Sequence, residues 1–495
     1  MKKIVIIGGG IAGLSAGVYG LLAGYDVAIY EKNPIAGGQC MGWNRKGYHI
    51  DNCIHWLTGT KKDTDLRKEW ETVGALSPDS KFSKTEAFYT SIVGDKRATL
   101  WNDLERTEKE LLEIAPEDEA EIKKFIEHVR YAQSCQIPSK KPMDMMGIRD
   151  YIEMGKGMTD MPKVMKEYGE IELEDLSARF KNPVLRKLFC DYMPKEYTAS
   201  SLLVSYATMT SGNGLIPEGG SLAMTNRMVD RFKELGGKLI CNASVKRIII
   251  EKKMACGIEL ENGEKIMADY VISAADTNVL FEKLIGEKYM DKRWKEVYSD
   301  YNRFPLTSGF QMAFAIDQSA YHEKDTVVFS CEPFMIGEQK VDRMSVKSFE
   351  YEETFAPAGK TVLQANVVQT DADFLYWKSL TKEEYQQKKQ ELVEIVMNRI
   401  LSMFPELEGH MEFLDCWTPL TYQRYCNAYH GAYMSFITRK GEKAFRVKGT
   451  IKGIKNLYIA SQWINAPGGL PVALVAGKFA VQRILKKEKR PYLEF

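Results

Sequence analysis

Among the 495 residues there is no C-x-x-C pair, no low-complexity tract, no internal repeat and no long flexible linker. The nine cysteines, at 40, 53, 135, 190, 241, 256, 331, 416 and 426, are odd in number and scattered. That pattern argues against a disulfide framework and against the ligand spacing of a zinc site, and a reducing cytoplasm fits it best. Excess charge is also missing: 68 Lys and Arg face 67 Asp and Glu, a net +1 that implies no nucleic-acid partner. No nucleophile, histidine and carboxylate set stands out. A second glycine turn is lacking too, because Gly212-Asn213-Gly214 runs into Leu215-Ile216-Pro217 without a third glycine. A dedicated nicotinamide domain is therefore not expected.

Two long uncharged runs remain, Ile4 to Tyr25 and Leu457 to Gly477. The second carries Gln462, Asn465, Pro467, Gly468, Gly469 and Pro471, which would break a spanning helix in lipid. The first follows Lys2 and Lys3 as a signal peptide or anchor would. Its glycines and the strand after it read otherwise, and no transmembrane span is predicted. With 44% hydrophobic and 27% charged residues, the composition is that of a soluble globular chain long enough for two or three domains.

What is present begins at Ile4-Val5-Ile6-Ile7-Gly8-Gly9-Gly10-Ile11-Ala12-Gly13 and ends at Val27-Ala28-Ile29-Tyr30-Glu31. This spells strand, glycine turn, helix and second strand closed by a carboxylate, the layout that holds a dinucleotide. Gly8 permits the tight turn, Gly10 lets backbone approach a pyrophosphate, and Gly13 lets the helix pack close to its strand. Phosphates would sit at the positive end of the helix. Glu31 falls where an acid accepts hydrogen bonds from a ribose.

Strand-rich, glycine-punctuated segments recur at the start, middle and end of the chain, which predicts one cofactor domain assembled from residues 1–80, 206–285 and 446–495. Within the middle piece, a helix reaches about Leu235, and Ser244 to Ile248 pairs with Gly257 to Leu260 as strands. A substrate or lid domain is expected from 81–205 and 286–445. Ile122, Phe125, Ile126 and Val129 predict a helix there, Phe310 to Phe314 and Val362 to Val367 predict strands, and Lys382 to Phe404 predicts a long helix. Discontinuous domains of this kind place the site at their seam.

The segment from Glu31 through Pro34, Gly37, Gly38, Gln39 and Cys40, with Gly47 to Trp56 after it, resembles the phytoene desaturase, carotenoid isomerase and retinol saturase family of flavoproteins within the amine oxidase superfamily. Pro217-Glu218-Gly219-Gly220-Ser221, Val271 to Asp276 and Thr418 to Tyr425 extend the likeness over nearly the whole chain. The resemblance implies an α/β fold, α+β overall, with a Rossmann-type FAD/NAD(P)-binding domain and a discontinuous substrate domain of mixed sheet and helices. It also implies FAD as cofactor. The contacts expected are Gly8, Gly10, Ile11, Ala12, Gly13, Glu31, Lys32, Gly37, Gly38, Gln39, Val245 (through its backbone), Gln462, Gly469, Leu470 and Pro471. Pro467 to Pro471, ahead of an apolar helix, would aim a helix N-terminus at the flavin. Two departures are Gln39, where many relatives carry arginine, and Gln462, where an acid usually helps hold the ribityl chain.

The family acts on carbon–carbon bonds of long apolar polyenes, so hydride transfer between a substrate carbon and flavin N5 is the expected chemistry, with an external electron donor or acceptor. A redox-neutral double-bond isomerase and an amine oxidase are the alternatives. His55 is the candidate polar group near the flavin, against the plainer reading of a histidine satisfied by backbone. Trp56, Tyr422 and Tyr425 are candidate substrate contacts; if 418–425 is a strand, Tyr422 and Tyr425 face opposite sides. Met143, Met145, Met146, Met154, Met158, Met161 and Met165 suit an apolar channel or a surface that contacts a membrane peripherally, though irregular core filler is the commoner use of such methionines.

Overall fold

The strand Lys3–Ile7 is apolar and buried at every position from Ile4 to Ile7 because both of its faces are covered, as central parallel strands require. In the computed structural model, which describes residues 1–156 and 158–492, it lies at the centre of a five-stranded parallel sheet. Asp26–Tyr30 pairs on one side and Tyr270–Ser273 on the other, with Lys238–Ile240 and Leu457–Ile459 at the edges. Alternation then sorts the side chains. Ile4, Ile6, Val27 and Ile29 face one core with the helix Ile11–Leu22, while Val5, Ile7, Ala28 and Val271 face a second core. The second core is closed by the antiparallel strands Val245–Glu251, Met254–Leu260 and Lys265–Met267.

Two helices cross on the first core. The C-terminal helix Leu470–Lys487 meets the first helix at Gly477, where a Cβ would stand 2.5 Å from the Ala12 carbonyl oxygen. Ser15 Oγ donates to the Leu474 carbonyl at 2.7 Å across the same crossing. Glycine is thus required there by approach distance rather than by backbone angle.

A seven-stranded sheet carries the rest of the molecule, in the order 411–417, 308–317, 360–369, 339–348, 326–336, 87–93 and 96–101. Its pairs are antiparallel except that 326–336 runs parallel to 87–93. One face packs on the predicted long helix, which spans Lys382–Met403 and buries Leu392, Val393, Val396 and Ile400. The helical region is built around Glu119–Ala132, with Ile122, Phe125, Ile126 and Val129 fully buried as their spacing predicts.

The structure differs from two readings weighed in the sequence, the strand considered for 418–425 and the core use of the methionines. Residues 419–426 form a helix, not a strand: Thr418 and Thr421 make a capping box and Pro419 occupies the first helical position, which pre-sets a helical start. Tyr422 and Tyr425, three apart, therefore project from neighbouring positions on the helix surface. Of the methionines between 143 and 165, Met161 packs half-buried against the core of the helical region and the others do not. None of the seven is buried, and the helix Ile148–Lys156 buries no residue at all.

Candidate functional site

The first helix starts at Gly10 with no side chain capping it, so the N–H groups of its first turn have no intrahelical acceptor. The C-terminal helix also lacks a side-chain cap, at Gly469. Both open ends face one cavity of about 1220 Å³, larger than the roughly 300–1,000 Å³ usual for a single small ligand. Such a volume suits a dinucleotide and a substrate together.

At the first helix the glycines separate by role. A Cβ on Gly13 would fall 2.0 Å from the Gly8 carbonyl oxygen, so Gly13 serves strand–helix packing and does not line the cavity. A Cβ on Gly10 would meet only Gly37 and Gly38 atoms, at 3.8 Å. The protein itself has room for a side chain at Gly10, and the cradle it would fill lies over uncapped amides. Gly8, Gly10, Ile11, Ala12, Gly37 and Gly38 all line this end, with Gly37 N–H donating to the Gly9 carbonyl at 2.9 Å to fix the two turns against each other.

Glu31 is buried, its carboxylate accepting the Gly9 and Asn33 N–H groups at 2.8 Å each. Each oxygen retains a lone pair for a ribose hydroxyl. Lys32 and Val245 stand beside it on the cavity wall. Lys32 Nζ donates to the Arg424 carbonyl and to Asn427 Oδ1, at 2.8 and 2.9 Å. Tyr425 belongs to this rim: its carbonyl accepts from Asn33 Nδ2 at 2.9 Å and its side chain is half exposed.

The two glutamines that depart from the family pattern are both engaged. Gln39 Nε2 donates to the Ala432 carbonyl at 2.8 Å. Gln462 Oε1 accepts the Gly469 N–H at 2.8 Å while its Nε2 donates to the Tyr433 carbonyl at 3.3 Å. An amide can accept at one end and donate at the other, which a carboxylate cannot. Gln462 thereby braces the turn at Gly468 and Gly469, both at φ near +90° to +95°, from which Leu470 and Pro471 enter the helix along the cavity.

Beyond this turn the cavity continues under the seven-stranded sheet. Tyr422 is the hub of a polar wall: its hydroxyl accepts from Trp417 Nε1 and Gln311 Nε2 at 2.8 and 3.2 Å and donates to Asn52 Oδ1 at 2.8 Å. Gln311 also donates to the Tyr433 hydroxyl at 2.9 Å. Opposite in character, Trp56, Phe88, Tyr192, Val204 and Met209 give the cavity an apolar arm, with Met161 and Met165 on its wall.

His55 opens into the cavity, and the surface it exposes faces the cavity rather than the outside. Loss of hydration, with the Lys347 charge beside it, pushes its pKa down to about 3, so the ring is neutral at working pH. Lys347 is the residue that the sequence reading missed. It is buried on the strand Gln339–Ser348, and burial lowers its pKa to about 8 against the opposing pull of Asp51 and Asp325. Its signal was present in the alternation of Arg343, Ser345 and Lys347 with Met344, Val346 and Ser348, a polar set on one face of a strand whose other face is core.

The residues present fit FAD: two uncapped helix starts, an acid at the second strand's end and a glycine cradle all share one cavity. Comparison with known proteins agrees. A family model described as flavin containing amine oxidoreductase matches residues 11–485. A 4,4'-diaponeurosporene oxygenase of Staphylococcus aureus (strain MW2) is 22% identical over 99% of both chains. Among solved structures, an oxidoreductase from Methanosarcina mazei superposes with a TM-score of 0.60 at 16% identity, covering 98% of this chain and 100% of its own. Putrescine oxidase bound to putrescine gives 0.63 at 14% identity over 99% of each chain. At such identities these two structures bear on the fold alone.

Proposed function

The chain belongs to the flavin-containing amine oxidoreductases and is an FAD-dependent oxidoreductase, and from that premise we propose that it desaturates or saturates a carbon–carbon bond of an apolar polyene, isoprenoid or related lipid. The observation that carries this reading is the continuity of the cavity, which runs from the helix starts that suit FAD into an arm walled by Trp56, Phe88, Tyr192, Val204 and Met209. The carotenoid-modifying relative, similar at low identity over its whole length, supports the same substrate class. When bound, the flavin supplies hydride acceptance or donation at carbon. The chain's part is to orient and to exclude water: the apolar arm holds a polyene, while Gln311, Tyr422 and Tyr433 form a fixed polar wall.

An external carrier would deliver or remove the electrons. A lipid surface is the occupant we propose for the exposed helix Ile148–Lys156, whose Ile148, Tyr151 and Ile152 are 81%, 43% and 54% exposed and flanked by exposed Arg149, Lys156, Lys163 and Lys166. Cavity-lining Met161 and Met165 follow immediately, giving an apolar substrate a short route inward.

The test is a visible spectrum of the purified protein followed by anaerobic flavin reduction or reoxidation with polyenes, retinoids and unsaturated fatty acids. Turnover of a polyene with net electron flow supports the proposal. A need for reduced FAD without net electron consumption would instead establish an isomerase, and bleaching on anaerobic addition of amines an amine oxidase.

A further inference from the structure

Buried charges are ordinarily paired, because an ion without a partner in a poorly hydrated site is costly. Lys347 breaks that rule. Only 6% exposed and on the cavity wall, its ammonium has two long contacts, both at 3.4 Å, to Nδ1 and the carbonyl oxygen of His55. The rings of Phe349 and Tyr351 lie 5.0 and 5.4 Å from it.

The acids that face Lys347 are committed elsewhere. Asp51 accepts Ser221 N–H at 2.5 Å, Ser221 Oγ at 2.6 Å and the Cys53 and Ile54 N–H groups at 3.1 and 3.3 Å. Asp325 accepts the Glu86 and Ala87 N–H groups at 2.8 Å each. Further along the same strand face, Arg343 is already neutralised by Asp191, with Nε to Oδ1 at 2.7 Å. Among the described residues, then, Lys347 is the cation of this face without a carboxylate partner. Beside it, neutral His55 accepts at Nδ1, which places its proton on Nε2 as a second donor.

We infer that the Lys347–His55 corner anchors the carboxylate of a long-chain, monoanionic substrate, whose apolar chain occupies the arm lined by Trp56 and Phe88. The inference rests on the apolar-substrate reading above and sharpens it: the substrate is an acid with a polyene or alkenyl chain. An ammonium and an imidazole N–H supply two donors to two carboxylate oxygens, whereas an alcohol of the same chain length offers one uncharged oxygen. Uptake of the acid would also give the buried ammonium its missing counter-charge.

Trp56 supplies the readout, since it lies on the cavity wall. Quenching of tryptophan fluorescence in the FAD-loaded protein by all-trans-retinoic acid and by all-trans-retinol measures the preference directly. The acid is expected to bind roughly tenfold or more tightly at pH 7, a preference that collapses to near unity in Lys347→Gln. Raising the pH through 8 to 9.5, where Lys347 gives up its proton, weakens the acid and leaves the alcohol unchanged. Lys347→Met, which keeps the stem, controls for packing and is expected to match Lys347→Gln. Equal affinity for acid and alcohol, or a preference that survives in Lys347→Gln, overturns the anchor while leaving the polyene reading standing. Loss of FAD from Lys347→Gln on purification also overturns it, because the partner of the ammonium would then be the cofactor. Failure of both retinoids to bind overturns the anchor together with the polyene reading.

Discussion

Gly10 and Gly13 stand three residues apart and are glycine for different reasons, which a pair of alanine substitutions separates. Gly13→Ala drives a methyl to 2.0 Å from the Gly8 oxygen and should leave little soluble protein. Gly10→Ala meets nothing closer than 3.8 Å, so the fold should survive while FAD affinity falls about tenfold or more, measured by flavin retained on gel filtration. Lys347 makes a prediction of the opposite sign. Its pKa of about 8 lies below the ordinary lysine value of 10.5, so the folded state binds this proton less tightly than the unfolded chain does. At about 1.4 kcal/mol per pH unit, the penalty at neutral pH is on the order of 3 kcal/mol, relieved as pH rises from 8 to 10.5. Lys347→Met should therefore be more stable than the parent at pH 7 by about 2 kcal/mol, with the difference shrinking toward pH 10.5 in paired denaturant titrations. Residue roles that depend on local spacing, such as those of the glycines, could be read from the sequence. For Lys347 the alternation gave its place on the polar strand face but not its role, which lies in what Asp51, Asp325 and Asp191, on other segments, have already bonded.

The last helix is tied to the short helix Asp65–Thr72 by a buried ion pair, Lys478 Nζ to Glu69 Oε1 at 2.6 Å, with side chains 8% and 9% exposed, and Tyr19 of the first helix donates its hydroxyl to the same carboxylate. Removing Lys478 leaves the buried Glu69 carboxylate without its counter-charge, with the Tyr19 hydroxyl still donating to it. Lys478→Ala should cost about 3–5 kcal/mol, and the double change Glu69→Gln, Lys478→Met should recover part of it, as thermal unfolding of the three variants would measure. At the exposed helix Ile148–Lys156, the proposed lipid contact predicts flotation with anionic liposomes at low salt. Ile148→Asp with Ile152→Asp should abolish flotation without changing the flavin spectrum, and absence of flotation by the parent protein would remove the proposal. Elements with strong periodicity, such as Glu119–Ala132 and Lys382–Met403, were legible because burial of one stripe is written at fixed intervals. The segment 419–426 misled because alternating Tyr422, Arg424 and Tyr425 imitate a strand, while the deciding signal was the Thr418-Pro419 start.

At the scale of the whole molecule, the family resemblance and the α/β fold were legible from motifs that survive at low identity, and both agree with the family match over residues 11–485. Of the polar wall, Tyr422 was legible as a candidate contact, but its partners Gln311, Asn366 and Tyr433 were not, since sheet register sets Gln311 beside Asn366 and long-range hydrogen bonds bring Tyr422 and Tyr433 to them from outside the sheet. Register sets Gln311 opposite Asn366 and Asn366 opposite Ser345, placing these side chains in one row across the sheet.

The bond from Ser15 to Leu474 spans 459 positions of chain. On a ribosome, the turn at Gly8 to Gly13 emerges early, yet the helix that completes the cavity is made only after residue 470. Flavin capture therefore waits until the segment from Leu470 onward has been made. Nascent chains must hold the first helix's apolar face without its partner until then, and a message truncated before Leu470 would yield a polypeptide with no closed place for the cofactor.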